Sequence, residues 1–358
     1  MARYPGSELE RRIPEAALRQ AVQNVYEGCG MSSGDAETVA RSLVHADLRG
    51  IHSHGVMRVP GYAGRLTNRG GINPTGQPKI AKDAGAALVV DGDNAMGQVV
   101  ANFAMRQVIE RARTTGTCVA AVGGSNHCGA MDFYALMALE EDMIGLATTN
   151  ALPTMAPWGG SERILGINPL AIAMPSNQDI PVVMDFSFGA TARGRIQVLH
   201  QKGLPLPEGW ALDKDGAPTT DTAAALEGLI APAGDFKGTA LAMTMGLLST
   251  VMSGASYGTK MGSVDDGPNC GEDGQFVMAI DAGKLEDIAT VKARTDAVIE
   301  ELRACRVAPG FDRVVPAGFN EEELEREYRR DGIPLNDATI SGIRATADEV
   351  GADASMLA

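Results

Sequence analysis

The hydrophobic period of this chain changes from about residue 78, and that change limits the possible fold more than any single motif does. Before it, apolar residues recur at helical spacing. Leu18, Val22 and Val25 follow Pro14, whose fixed φ suits a first helical turn, until Gly28 and Gly30 stop the pattern. Ser32 and Ser33 are placed to cap a second helix that carries Val39, Leu43 and Ala46 and runs to Gly50. Beyond residue 78 the pattern predicts strands at 79–82 and 86–91, an amphipathic helix at 97–113, a strand at 117–122, a helix at 131–141 and a strand at 144–149. Strands are also predicted at 170–174, 181–185 and 275–280, with helices at 190–201, 239–253, 291–306, 321–330 and 337–350. Residues 203–236, rich in Gly, Pro, Asp and Thr, are expected to form an exposed excursion around the polar turn Leu212-Asp-Lys-Asp-Gly-Ala-Pro. This mixture, with no regular strand–helix–strand series, reads as an α+β fold.

At 358 residues the chain exceeds the roughly 250–300 at which one hydrophobic core stops growing, so two or three lobes are expected. Its 31 Lys and Arg stand against 45 Asp and Glu, and the net charge of −14 repels a polyphosphate backbone, which argues against nucleic acid as a partner. No stretch approaches the ~18–20 continuous apolar residues of a membrane-spanning helix. The first twelve residues are polar and contain no apolar signal-peptide core. The five cysteines, Cys29, Cys118, Cys128, Cys270 and Cys305, are odd in number and scattered, with no C-x-x-C pair, as expected of reduced thiols in a cytoplasmic protein.

Two of the five histidines fall in His52-Ser53-His54-Gly55, with Arg58 and Tyr62 four and eight residues after His54. On one helix these three side chains would share a face. Imidazole titrates near neutrality and can pass a proton to or from an oxygen, while guanidinium holds a carboxylate by two parallel hydrogen bonds. Together they suit a 2-oxo or 2-hydroxy acid. A second cluster, Gly123-Gly-Ser-Asn-His-Cys-Gly-Ala-Met131, sits between a predicted strand and a predicted helix, where small residues let a ligand approach the backbone. Neither G-x-G-x-x-G nor a P-loop is present, so a dinucleotide would bind by some other device. A rival reading takes His52 and His54, with His127, His200 and Asp185, as a loose metallohydrolase ligand set, although H-E-x-x-H is missing. The imidazole–guanidinium pair needs no metal, and none is expected.

The run Asp47-Leu-Arg-Gly-Ile-His-Ser-His-Gly-Val-Met-Arg-Val-Pro-Gly-Tyr62 resembles the signature of the malate/L-lactate dehydrogenase family. Gly71-Ile-Asn-Pro, Ser125-Asn-His-Cys-Gly, Thr149-Asn150, Gly166-Ile-Asn-Pro, Met184-Asp-Phe-Ser, Ala192-Arg-Gly-Arg-Ile, Lys237-Gly238 and Pro309-Gly310 extend the likeness, in order, over about residues 10–330. The resemblance implies a homodimeric NAD- or NADP-dependent oxidoreductase of 2-hydroxy acids, or a reductase of cyclic 2-imino acids. It implies a helical lobe from both chain ends (1–75 and 286–358) and a mostly antiparallel, non-Rossmann cofactor domain (76–285). It implies His54 as the acid/base, Ser53 to orient it, Arg58 to clamp the substrate carboxylate, Tyr62 to close the pocket, and His127 beside the nicotinamide. Asn126, Cys128, Gly129, Ala130, Met131, Asp185, Phe186, Ser187, Lys237, Gly238, Arg306, Pro309, Gly310 and Arg313 would contact the dinucleotide. Three departures stand out. Ile167 replaces a common Thr, Arg195 a Lys or Asp, and Arg193 the His of the cyclic-imine reductases. The two arginines add cations that would favour a doubly anionic substrate. The Ile167 and Arg195 departures also motivate a further rival, a homologue that binds a metabolite without turning it over.

Overall fold

The computed structural model describes residues 7–201, 203–261 and 272–358; Cys270 lies outside them. The two chain ends fold together. β1 (Arg11–Ile13) pairs antiparallel with β14 (Ile333–Leu335), Ile13 opposite Ile333. α1 (Glu15–Gly28) has Pro14 as its N-cap, and α2 (Ser33–Leu48) is capped by Ser32, whose Oγ accepts from the Asp35 N–H. With α3 (Val59–Leu66), α10 (Phe319–Asp331) and α11 (Asp337–Val350) they enclose one core, in which Leu18, Val22, Tyr26, Val39 and Leu43 meet Tyr328, Ile340 and Ile343. Burying an aliphatic or aromatic side chain of this size stabilises by ~1.5–3 kcal/mol, so this shared core holds the termini together where local propensity could not.

The middle of the chain builds a seven-stranded sheet. Its strands are β2 (Lys79–Asp83), β3 (Ala87–Asp91), β4 (Thr117–Ser125), β5 (Ile144–Thr149), β8 (Leu170–Met174), β9 (Val182–Phe186) and β13 (Asp273–Ile280), in the order β2-β3-β4-β13-β5-β8-β9. Only β3 and β4 run parallel, because α4 (Gly97–Thr115) makes the crossover between them; the other neighbours are antiparallel. α4 and α5 (Asp132–Leu139) cover one face, where Val100, Ala104 and Val108 pack on Val90, Ala120, Val122 and Val277. α8 (Phe236–Thr250) also lies against β13, β5 and β4.

Two expectations are corrected. Residues 203–236 are no exposed excursion: β10 (Ala211–Leu212), β11 (Pro218–Thr219) and β12 (Leu229–Ile230) join β6 (Pro153–Met155) and β7 (Leu165–Gly166) in a five-stranded sheet. With α6 (Arg193–Gln201) and α7 (Thr222–Glu227) this segment has its own core of Ile196, Leu206, Ala211, Ala225 and Ile230, while the polar turn between β10 and β11 and the stretches 203–205 and 207–209 are largely exposed. These apolar residues are spaced too sparsely along a Gly- and Pro-rich stretch to show a period. The second correction concerns α9 (Ile288–Arg303), expected within the helical lobe. It is tied to the sheet body by the Lys292–Asp142 ion pair at 2.5 Å and by Asp296, which accepts from the Asn177 backbone N–H at 3.0 Å. Among the described residues no helix is long and apolar enough to cross a membrane.

Candidate active site

The His-Ser-His run forms one 3-10 turn, His52–His54, followed by a second, Val56–Arg58, between the end of α2 and the start of α3. Asp47, buried in the last turn of α2, organises them. Its Oδ1 lies 2.6 Å from His52 Nδ1, and its Oδ2 accepts from the Val56 N–H at 2.7 Å. Gly55 passes so close to this carboxylate that a Cβ there would sit 2.2 Å from Asp47 Oδ1. The shared helical face expected for His54, Arg58 and Tyr62 is therefore not how they meet, because the break at Gly55 puts His54 on a separate turn. His52 is spent on structure: burial alone would depress its pKa, but the Asp47 hydrogen bond and charge override it and hold the ring above its ordinary value.

His54 Nδ1 lies 2.9 Å from Ser53 Oγ, and Arg58 Nε donates to the Ser53 carbonyl at 2.7 Å. Burial and then the Arg58 charge bring the His54 pKa down to about 4. The His54 ring stacks on His127, with centroids 5.5 Å apart and planes 18° apart. His127 comes from the other body, on the turn after β4. Tyr62 Oη sits 2.5 Å from its Nδ1, and the Gly129 N–H donates to the same nitrogen at 3.2 Å. Burial, His54 and Arg58 hold His127 well below the usual imidazole range. Thus His54, Ser53, Arg58, Tyr62 and His127 do converge.

The turn bearing His127 is fixed by dense backbone packing. Gly97, first residue of α4, leaves no room for a Cβ, which would lie 2.0 Å from the Asn126 carbonyl oxygen. The buried Asn126 side chain donates to the Ala95 carbonyl (2.8 Å) and to Asn94 Oδ1 (3.0 Å), so it staples the turn to the loop before α4. Cys128, Ala130 and Met131 are buried, and burial pushes the Cys128 thiol up to about 12, which rules out a ready nucleophile. Asp185 Oδ2 accepts from the backbone N–H groups of Met131 (3.0 Å) and Asp132 (2.9 Å), tying β9 to the start of α5. Burial and the neighbouring Asp132 charge raise its pKa. Asp132 itself stays ionised despite burial, because His45 at 3.3 Å and Arg49 at 2.6 Å hold it; Arg49 in turn reaches Glu325 at 3.1 Å.

Beside this network a cleft of about 270 Å³ opens between Asp185, Phe186, Asp132 and the segment Val315, Pro316, Ala317 and Gly318. Those last four residues were missed in the sequence, where nothing but a Pro and a Gly marks them. Of the other expected contacts, Ser187 is half-buried, Gly238 lies against the Phe188 carbonyl at the start of α8, and Lys237 beside it is exposed. Arg306, Pro309 and Gly310 lie on an exposed stretch ahead of the cleft, and Arg313 pairs with Glu323. α6 approaches the imidazoles at Gly194, where a Cβ would be 3.6 Å from that of Ser53. Arg193 beside it donates to the Leu226 carbonyl at 2.8 Å, and Arg195 lies over the Trp210 ring at 5.1 Å. Ile167 packs against Gly189 in the same region. A wider groove of about 940 Å³ runs past Arg41, Arg106, Glu140 and Glu325, away from His54 and His127. Among the described residues no three His, Cys, Asp or Glu side chains converge as metal ligands, and His52 faces Asp47, so the hydrolase reading has no ligand set to stand on.

Comparison with known proteins bears on the same site. L-sulfolactate dehydrogenase of Methanocaldococcus jannaschii is 37% identical over 334 residues, covering 93% of this chain and 95% of that one. A solved structure of sulfolactate dehydrogenase from that organism superposes with a TM-score of 0.89 at 35% identity, covering 96% of this chain and 99% of the other. Ureidoglycolate dehydrogenase (NAD(+)) of Escherichia coli O157:H7 is 32% identical over 327 residues, 91% of this chain and 93% of that one. A family model described as malate/L-lactate dehydrogenase matches residues 13–344, and the chain belongs to that family.

Proposed function

We propose that in this NAD(P)-dependent 2-hydroxy-acid dehydrogenase His54 exchanges the proton with the substrate oxygen while Arg58 holds the substrate carboxylate. The observation that carries this reading is the meeting of His54 and Arg58, from the turn after α2, with His127, from the turn after β4. Arg58 spends Nε on the Ser53 carbonyl, and its two terminal nitrogens make no hydrogen bond among the described residues, which suits a bidentate carboxylate. A carboxylate arriving there cancels the charge that depresses the His54 pKa. Substrate binding and proton uptake by His54 are thereby coupled, and the imidazolium so formed can protonate the oxygen during reduction. Ser53 holds the ring through Nδ1. The arginines at the head of α6, Arg193 and Arg195, add positive potential that favours a substrate with a second anionic group.

The residues present fit a nicotinamide dinucleotide: a small cleft opens where Asp185 and Phe186 of β9 meet Asp132 at the start of α5, and the half-exposed Phe186 ring offers a flat apolar face there. Asp185, Phe186, Ser187, Lys237, Gly238 and the turn of residues 126–131 would hold it, on a mostly antiparallel sheet with no Rossmann glycine fingerprint, and the stretch from Arg306 to Arg313 would lie alongside. When bound, the reduced cofactor supplies the hydride. The same reading makes the enzyme a homodimer, supported by the uncovered apolar face of α8, where Phe236 is 61% and Met243 48% exposed. It also makes it cytoplasmic, in keeping with four unpaired cysteines among the described residues.

The test is Arg58→Ala assayed with 2-oxo acids, cyclic imino acids and carbonyl compounds lacking a carboxylate. Expected is a loss of ~100-fold or more in kcat/KM for the acids, with cofactor affinity kept. An equal loss for substrates without a carboxylate would contradict the clamp.

A further inference from the structure

We infer that His127 acts as a fixed hydrogen-bond donor through Nε2–H and exchanges no proton itself, its tautomer being locked by Tyr62 and the Gly129 backbone. The inference rests on the reading above that His54 carries the proton. A backbone N–H can only donate, so the Gly129 N–H at 3.2 Å requires a lone pair on His127 Nδ1. With that nitrogen unprotonated, the Tyr62 hydroxyl 2.5 Å away must also donate to it. Burial keeps the phenol protonated well above its ordinary range, as this role needs. Two donors therefore converge on one nitrogen, and the single proton of the neutral ring sits on Nε2.

The surroundings oppose any second proton. Burial first, and then His54 and Arg58 on the first body, disfavour a charged His127, and a charged ring would have to turn its new Nδ1–H against two donors. His54 differs in this respect: its Nδ1 meets only the Ser53 hydroxyl, which can donate or accept. Among the described residues neither Nε2 has a hydrogen-bond partner, and the two rings lie stacked with centroids 5.5 Å apart.

This divides the labour between two similar imidazoles. During reduction the C2 carbon gains the hydride supplied by the cofactor, the electron pair of the C=O bond moves to oxygen, and the oxygen takes its proton from the His54 imidazolium. His127 Nε2–H steadies the developing charge and keeps its own proton throughout. Tyr62 is then a positioning residue for His127 in addition to being a wall of the pocket.

Protein labelled with nitrogen-15 in its histidine rings gives a readout that needs no substrate. At pH 7 His127 should show the neutral Nε2–H pattern, unchanged from about pH 5.5 to 8.5, a span that brackets the ordinary imidazole value. An Nδ1–H pattern, or a His127 imidazolium titrating in that range, would overturn the inference. Tyr62→Phe leaves the Gly129 N–H as the one donor to Nδ1, so the Nε2–H form should still prevail but with a measurable share of the Nδ1–H form, and kcat should fall ~10-fold with KM nearly unchanged, roughly the effect of losing one hydrogen bond. An unaltered tautomer signal in that variant would overturn the part given to Tyr62.

His127→Gln, which keeps an N–H near the Nε2 position but cannot exchange a proton, should retain kcat within ~10-fold, whereas His127→Ala should lose ~100-fold or more. A Gln variant as inactive as the Ala variant, with cofactor affinity intact, would show that proton exchange at His127 is needed. Failure of the wild type to turn over any 2-oxo or 2-imino acid would instead refute the proposed function, and the tautomer spectra would stand apart from it.

Discussion

An imidazole in water loses its proton near pH ~6.5, and at His54 burial and the Arg58 charge bring that value down to about 4. The neutral ring therefore prevails at pH 7, and it is the form that accepts a proton from a hydroxyl. For oxidation of a 2-hydroxy acid, kcat/KM should hold level at neutral pH and fall only as the pH approaches about 4. For reduction, which needs the charged ring, kcat/KM should climb as the pH drops towards that value. A break near ~6.5 in either direction would contradict this environment for His54. Arg58→Met removes one of the two causes, so the His54 ring titration followed by proton NMR should move upward while staying under the ordinary value, because burial remains. The residue types were legible in the sequence, since His-Ser-His followed by Arg is sparse chemistry on a chain with five histidines. Their geometry was not. It depends on Asp47, which gathers His52 and Val56 from five and nine residues away, and no local period records such a contact.

Elements with a strong apolar run and clear ends were legible to the residue: β5, β8 and α11 form at their predicted limits. β6, β7, β10, β11 and β12 span only two or three residues each, too few for an alternation to show, and β1 and β14 find each other across the length of the chain. The spacing of α2, α5 and α10 around the cleft rests on the buried set Arg49, Asp132 and Glu325. Arg49→Met would leave Asp132 buried without its guanidinium, a change that costs about 3–5 kcal/mol when a buried pair loses one partner. Urea unfolding should show that loss, and adding Asp132→Asn should recover much of it; a single variant within ~0.5 kcal/mol of wild type would mean the set holds nothing together. The turn after α2 is equally exacting. Gly55→Ala would force a methyl to 2.2 Å from Asp47 and displace the His54 turn, so kcat should fall sharply while the cofactor still binds.

At the scale of the molecule, no single lobe holds the whole proposed site: the helical body brings His54 and Arg58, proposed as acid/base and clamp, the sheet body brings His127, and the cleft is lined from both, by Arg49 and Ile51 on one side and Asp185 and Phe186 on the other. The proposed homodimer would bring a second copy to that scheme through the apolar face of α8. Sedimentation velocity should find a dimer, and Met243→Asp with Val251→Asp, on residues 48% and 67% exposed, should shift it towards monomer. A monomeric wild type would contradict the dimer. The division between the two bodies is tested most directly by following reduced nicotinamide consumed with a 2-oxo acid, wild type against His54→Ala. Expected for His54→Ala is a loss of ~100- to 10,000-fold in kcat with cofactor affinity unchanged. A His54→Ala enzyme that turns over at the wild-type rate, with the wild-type pH profile, would contradict it.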